Sequence, residues 1–144
     1  MRFVLIDLVP ALLTWEGRDF YAPAEAQSGA LDLVYDLFSD FRLAAVTDGD
    51  RPASTVREAL EKLELAAYFE SVGTSSVFGP VVTPRVIRRI TAAIGGTGRT
   101  IIVTARPGLT EALHHSGIPS VTVEGDLAAV SGAVRRMAFG RVSP

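Results

Sequence analysis

The sequence contains no cysteine and no long apolar run, and each absence excludes a class of protein. Without cysteine the chain has neither a disulfide framework nor thiolate metal ligands. No apolar run approaches the roughly 18 residues of a membrane-spanning helix, and the N-terminus lacks the basic start and small-residue cleavage site of a signal peptide. We therefore expect a cytoplasmic protein with no membrane partner.

A strong net charge is also absent, because 14 basic residues oppose 16 acidic ones. This balance gives no electrostatic reason to bind nucleic acid or an anionic membrane. The single lysine, Lys62, lies among glutamates and is interpreted as a solvated surface charge. His114 and His115 have no nearby histidine or cysteine partner, so a metal-ligand role is not expected for them.

Short apolar runs alternate with amphipathic segments, which predicts a parallel β-sheet covered by helices. Five strands are predicted, at residues 2–7, 42–47, 71–73, 100–103 and 119–123. One helix begins after Ser28 and Gly29, and its apolar face is predicted to contain Leu31, Val34, Leu37 and Phe38. At 144 residues we expect one domain, 1–144, with a frayed tail at 139–144.

Residues 12–23 form an apolar flap around a polar turn. Its apolar residues are Leu12, Leu13, Trp15, Phe20 and Tyr21. They could pack on their own domain as a hairpin, or form an exposed patch that docks a partner protein or a second copy. Both interpretations are open, and we predict that the flap forms part of such an interface because aromatic residues anchor interfaces.

The first predicted strand ends at Asp7, and the carboxyl ends of strands in open parallel sheets carry ligands and chemistry. Here the chain resembles the haloacid dehalogenase (HAD) superfamily, whose first motif is an apolar strand followed by Asp-x-Asp. The resemblance covers the order of elements along nearly the whole chain. It implies a three-layer, Rossmann-like fold with a central five-stranded parallel sheet. The stretch between Asp7 and Thr47 contains a core helix, which leaves no space for a helical cap domain.

In the family, the first aspartate of that motif attacks phosphorus and binds magnesium, and the second transfers protons. Asp7 matches the first position, and Val9 occupies the second. Because valine has no ionisable group, it cannot perform either proton transfer. The second motif of the family is a hydroxyl at the end of a strand, and Thr47 matches it.

The third and fourth motifs of the family are both changed in this sequence. The third is a lysine before a helix that starts with proline, and Val81 aligns with it. The fourth is an acidic pair that holds magnesium, where this chain has Thr104 and Ala105 followed by Arg106. Arg85 is the nearest cation to the missing lysine, but arginine does not reproduce the compact ammonium contact.

Three of four motifs are thus broken, and the resemblance implies a non-catalytic HAD-like domain with a binding, scaffolding or regulatory role. Such a protein needs no cofactor, and we expect a protein partner or self-association. Asp7 is then expected to cap backbone N–H groups or to pair with Arg106.

Two alternatives remain open. In a divergent phosphatase, Asp7 would stay the nucleophile, Asp48 or Asp50 would replace the lost acid, and a weak magnesium site would use Asp7 and Asp48. In an anion-binding module, Thr47, Arg85 and Arg106 would hold a phosphate or carboxylate without chemistry, next to helix N-termini.

Overall fold

The computed structural model describes residues 2–15, 23–48, 51–74, 82–93 and 100–140. In chain order the elements are β1 (Phe3–Asp7), α1 (Leu8–Ala11), β2 (Leu13–Thr14), β3 (Glu25–Ala26), α2 (Ala30–Phe38), β4 (Arg42–Thr47), α3 (Ala53–Lys62), a 3₁₀ turn (Ala66–Tyr68), β5 (Phe69–Thr74), α4 (Pro84–Ala93), β6 (Thr100–Thr104), α5 (Pro107–His115), β7 (Ser120–Thr122) and α6 (Ala128–Phe139).

Five strands form one sheet in the order β5-β4-β1-β6-β7, and all of its pairings are parallel. The predicted five-stranded parallel sheet is therefore confirmed. β1 lies at the centre, and all five of its residues are buried because helices cover both faces of the sheet. The strand order reverses between β1 and β6, which marks the edge where parallel sheets place their functional groups.

Each face of the sheet carries its own apolar core. On one face, Val4 and Ile6 of β1 pack with residues of α2 and α6, such as Val34 and Val134. On the other face, Leu5 of β1 packs with apolar residues of α4 and α5. Successive side chains of a strand point to opposite faces, so one continuous apolar strand supplies both cores.

The buried face of α2 differs from the one predicted. Leu33, Val34 and Leu37 are buried, but Leu31 and Phe38 are 43% and 48% exposed. The segment offers two overlapping apolar stripes at helical spacing, and a helix can turn only one of them toward the sheet. The stripe containing Leu33 faces the core, which leaves the other at the surface.

The flap begins as an antiparallel pair of strands, β2 and β3, with Leu13 opposite Ala26. Leu12 and Leu13 are fully buried, and Trp15 is 7% exposed. The guanidinium carbon of Arg51 lies 4.1 Å from the centroid of that ring, a cation–π contact. This end of the flap is therefore part of the core.

The expectation that the flap is an exposed patch is corrected for Leu12, Leu13 and Trp15, because all three pack against the core of their own chain. Their apolar surface is already removed from water, so they cannot anchor a partner in this conformation. The other two predicted interface residues, Phe20 and Tyr21, lie outside the described residues.

The C-terminal helix α6 includes Phe139, which was predicted to lie in the frayed tail. Its ring lies 5.7 Å from that of Phe41, and this contact supports the last turn of the helix. Residues 141–144 lie outside the described residues. Within the described segments, none of the helices combines the length and apolar character needed to cross a lipid bilayer.

Candidate functional site

Asp7 is fully buried at the carboxyl end of β1, where the guanidinium of Arg106 holds both of its oxygens. Nη2 of Arg106 lies 2.7 Å from Oδ1, and Nε donates to Oδ2 at 2.8 Å. Two parallel N–H···O bonds between planar groups make a bidentate pair, the strongest arrangement for arginine and a carboxylate.

The register of the sheet explains why these groups meet. Ile6 pairs with Val103, so the next residues of the two strands, Asp7 and Thr104, end side by side. The Thr104 hydroxyl donates to Oδ2 of Asp7 at 2.8 Å and accepts the backbone N–H of Arg106 at 3.1 Å. The chain thus turns immediately after β6, and the Arg106 side chain points back to Asp7.

Asp48, which follows β4, completes the group by accepting Nη1 of Arg106 on its Oδ2. Its Oδ1 accepts the backbone N–H of Val82 at 2.5 Å, which fixes the segment before α4. One guanidinium therefore bridges two carboxylates from neighbouring strand ends. We call these three residues the Asp7–Arg106–Asp48 cluster.

Burial and charge pairing shift the pKa values of Asp7 and Arg106 in opposite directions. Burial raises the pKa of Asp7. The hydrogen bonds and charge of Arg106 and the hydrogen bond from Thr104 lower it, but burial has the larger effect and the pKa is raised overall. Burial lowers the pKa of Arg106, but Asp7 and Asp48 outweigh it and the net pKa is raised. The guanidinium therefore remains charged, and its positive charge is a fixed feature of this sheet edge.

The raised pKa of Asp7 predicts a pH dependence of stability with an unusual sign. Above the ordinary carboxyl pKa of about 4, the native state retains a proton that the unfolded chain has already released. Asp7 therefore contributes stability at low pH that is lost as pH rises through its native pKa. We expect the stability of wild type relative to Asp7→Asn to increase as pH is lowered from about 7 to about 4, measured by urea unfolding.

The Asp7→Asn variant serves as the reference because asparagine does not titrate, so groups that do not interact with Asp7 cancel in the difference. A relative stability that decreased on acidification would show that the charge of Arg106 outweighs burial, and the pKa of Asp7 would then lie below its ordinary value.

The other predicted site residues lie around this cluster in different settings. Thr47 is buried, and its hydroxyl is 3.3 Å from the backbone carbonyl oxygen of Asp48, to which it donates. Arg85 is exposed on α4 and is not one of the three residues of the cluster. Val9 is half-buried and packs against the apolar core. Asp50 and Val81 lie outside the described residues.

Two participants of the site were not predicted as such. Thr104 was considered only as the replacement of a missing ligand, yet its hydroxyl orders both Asp7 and Arg106. The backbone N–H of Val82 was also missed. The position of Thr104 at the end of a buried strand beside β1 was the available signal, whereas nothing in the sequence marks a backbone donor.

A small cleft of about 250 Å³ lies beside the cluster, between α1 and the loops that follow β6 and β7. Its side chains include Gln27, Ser28, Ala105 and Leu127, and none of its lining residues is charged. The cleft therefore adds no cationic or acidic group to the cluster.

The side chains at this edge do not fit a magnesium ion as they lie. Magnesium requires about six oxygen ligands in octahedral geometry, and it usually takes one or two carboxylates with water. Here the oxygens of Asp7 and one oxygen of Asp48 already face a guanidinium that would repel a second cation. Among the described residues, no cluster of three or more histidine or acidic side chains could hold a metal.

Solved structures with the same arrangement of strands and helices share little sequence with this chain. A predicted phosphatase from Clostridium acetobutylicum superposes with a TM-score of 0.63 at 16% identity, covering 88% of this chain and 86% of the other. The chain has a HAD-like fold. A haloacid dehalogenase-like hydrolase from Streptococcus pneumoniae gives a TM-score of 0.61 at 18% identity, covering 82% and 61%.

The HAD-like fold extends to L-2-haloacid dehalogenase from Xanthobacter autotrophicus, with a TM-score of 0.57 at 13% identity. That superposition covers 87% of this chain and 49% of the dehalogenase, so the chain spans about half the length of that enzyme. No protein-family model and no curated protein matches the sequence. These comparisons confirm the fold that the motif resemblance predicted.

Proposed function

We propose that this chain is a non-catalytic HAD-like domain with a binding, scaffolding or regulatory role. The observation that carries the proposal is the bidentate contact of Arg106 with Asp7, which uses both oxygens of the carboxylate at the nucleophile position. A nucleophile needs an oxygen lone pair aimed at the reacting atom. Here the guanidinium of Arg106, from the same chain, lies in front of both oxygens of Asp7.

Electrostatics support the same proposal. Phosphoryl transfer depends on cations arranged around the phosphate, with the nucleophile and its metal in place. Asp7 and Asp48 already neutralise the positive charge of Arg106 at this edge through direct contacts. An incoming phosphate would have to break a buried ion pair before it could bind.

The family's proton-transfer position also supports the proposal, since among the described residues it is occupied by Val9. A general acid or base must lie within hydrogen-bond reach of the reacting oxygen. Val9, at the position of the family's second aspartate, packs its side chain against the core. Thr47 is buried with its hydroxyl on a backbone carbonyl, and a threonine hydroxyl does not titrate near neutral pH.

A phosphatase assay tests the proposal directly. We expect no release of phosphate above the rate of the Asp7→Asn variant when the purified protein is incubated with magnesium and a panel of phosphomonoesters. Asp7→Asn is the matched control because it keeps the size of the side chain and removes only its nucleophilic oxygen. Turnover by wild type that disappears in this variant would overturn the proposal.

The contacts of Arg106 also weigh against the two alternatives. In an anion-binding module Arg106 would need free N–H groups, but three of its nitrogens already face carboxylate oxygens. Arg85, the second proposed anion ligand, is exposed on α4. For a divergent phosphatase, the weak magnesium site would have to displace the same guanidinium.

A further inference from the structure

Acidic and basic residues are distributed unevenly along the chain. Residues 71–110 contain five of the 14 basic residues and none of the 16 acidic ones. The rest of the chain therefore holds nine basic residues against all 16 acidic ones, although the net charge of the whole chain is only −2. Such a separation of charge within one chain indicates a surface that meets a charged partner.

The helix α4 carries three of these arginines on its exposed side. Arg85, Arg88 and Arg89 are all exposed. Arg85 lies three and four residues before the other two, a spacing that makes side chains neighbours on the surface of a helix. The opposite side of α4, which includes Val86 and Ile90, is buried against the sheet. We call the three arginines the α4 basic surface.

Carboxylates of the same chain do not neutralise Arg85 or Arg88. The helix α4 has no acidic residue, and within the described segments no carboxylate lies within 4.0 Å of either guanidinium. Arg88 instead donates from Nη2 to the backbone carbonyl oxygen of Ser116 at 2.8 Å, which links α4 to the end of α5. Glu111, the one acidic residue of α5, lies 3.9 Å from His115. The charges of both arginines therefore remain available to a partner.

We propose that the α4 basic surface binds a short acidic segment of a partner protein. A guanidinium pairs with a carboxylate through two parallel, charge-assisted hydrogen bonds, so adjacent arginines suit a segment with several aspartate or glutamate residues. Complementary charge also increases the rate at which such a segment meets the surface. The inference names a partner for the proposed binding role, and in that sense it rests on the proposed function.

The surroundings of the surface favour an acidic peptide over a nucleic acid or a membrane. Arg85 and Arg89 lie about 6 Å apart along the helix axis, so a long polyanion would extend beyond them toward the acidic remainder of the chain. The exposed residues of α4 include no aromatic side chain on which a base could stack. They also include no large apolar side chain that could enter a bilayer.

Fluorescence anisotropy of the full chain with a labelled octaglutamate peptide tests the inference. We expect wild type to bind the peptide at about 50 mM salt and to bind it more weakly at about 500 mM, because salt screens exposed charges. The triple variant Arg85→Gln, Arg88→Gln and Arg89→Gln should raise the Kd by about tenfold or more, since it removes three exposed ion pairs. Circular dichroism should show that the variant is folded, because all three side chains lie outside the core.

The matched control is a second triple variant, Arg57→Gln, Lys62→Gln and Arg136→Gln. It removes the same total charge from exposed positions of α3 and α6, on the opposite layer of the sheet, and should change the Kd by less than about threefold.

Three results would overturn the inference. The first is no binding of the peptide by wild type at about 50 mM salt. The second is equal weakening in both triple variants, because the attraction would then come from net charge rather than from α4. The third is tighter binding of a single-stranded oligonucleotide or of phosphatidylserine vesicles than of the peptide. The peptide assay measures no turnover, so a failure here is distinguishable from a failure of the phosphatase assay.

Discussion

Arg106→Ala is expected to destabilise the protein by about 3 kcal/mol, because it leaves a buried carboxylate without its partner. Asp7 is fully buried, while the side chain of Arg106 is 29% exposed, so the remaining charge cannot reach water without local rearrangement. Urea unfolding of both proteins at neutral pH measures the difference. Arg85→Ala removes the same side chain from an exposed position and should change stability by less than about 0.5 kcal/mol.

The loss in Arg106→Ala should be partly recovered by a second substitution. Asp7→Asn removes the charge that the first change leaves unpaired, so the double variant should be more stable than Arg106→Ala alone. Equal losses in the single and double variants would show that Arg106 stabilises the fold through packing rather than through its charge. That result would also remove the main physical support for the proposal that the ion pair with Arg106 keeps Asp7 from acting as a nucleophile.

Trp15→Ala is expected to destabilise the protein by about 3 kcal/mol or more, as truncation of a buried aromatic side chain does. Trp15 packs in the core beneath Arg51, so its removal leaves a cavity and an unstacked guanidinium. Thermal unfolding should show a clear decrease in the melting temperature, while sedimentation should show an unchanged oligomeric state.

Tyr35→Ala is the matched comparison, because it truncates an aromatic side chain at the surface rather than in the core. Tyr35 is 68% exposed, so its truncation should barely change the melting temperature. If Trp15→Ala instead left the melting temperature unchanged and dissociated an oligomer formed by wild type, the flap would be the interface, as the sequence analysis predicted.

The sheet could be predicted from the sequence because its strands are continuous apolar runs that end in polar residues. β1 and β4 end at Asp7 and Thr47, as expected. A parallel strand that is buried on both faces is apolar throughout, so its prediction does not require a choice of which face is buried. The start of α4 at Pro84 was equally accessible, since proline is tolerated in the first turn of a helix.

Elements that expose one face were harder to predict. For α2, the sequence could not distinguish the stripe with Leu33 from the stripe with Leu31, because the packing against the sheet makes that choice. The same applies to Trp15, which is as compatible with an interface as with a core.

Pairing with Arg106 was one of two expectations for Asp7, the other being that it caps backbone N–H groups. Its bidentate geometry, the bridge to Asp48 and the hydroxyl of Thr104 depend on which strands are neighbours and in which register. Such contacts join residues far apart in the chain, so local patterns do not contain them.

The position of β1 at the centre of the sheet has a consequence for the order in which the fold forms. β1 can pair with β4 once residues 42–47 exist, but its other edge stays open until β6 at residues 100–104 has been made. An open strand edge can pair with other chains, and contacts this distant in sequence form slowly. Arg106, 99 residues after Asp7, follows directly behind the strand that closes this edge. The cluster therefore cannot form until the ribosome has synthesised β6 and Arg106.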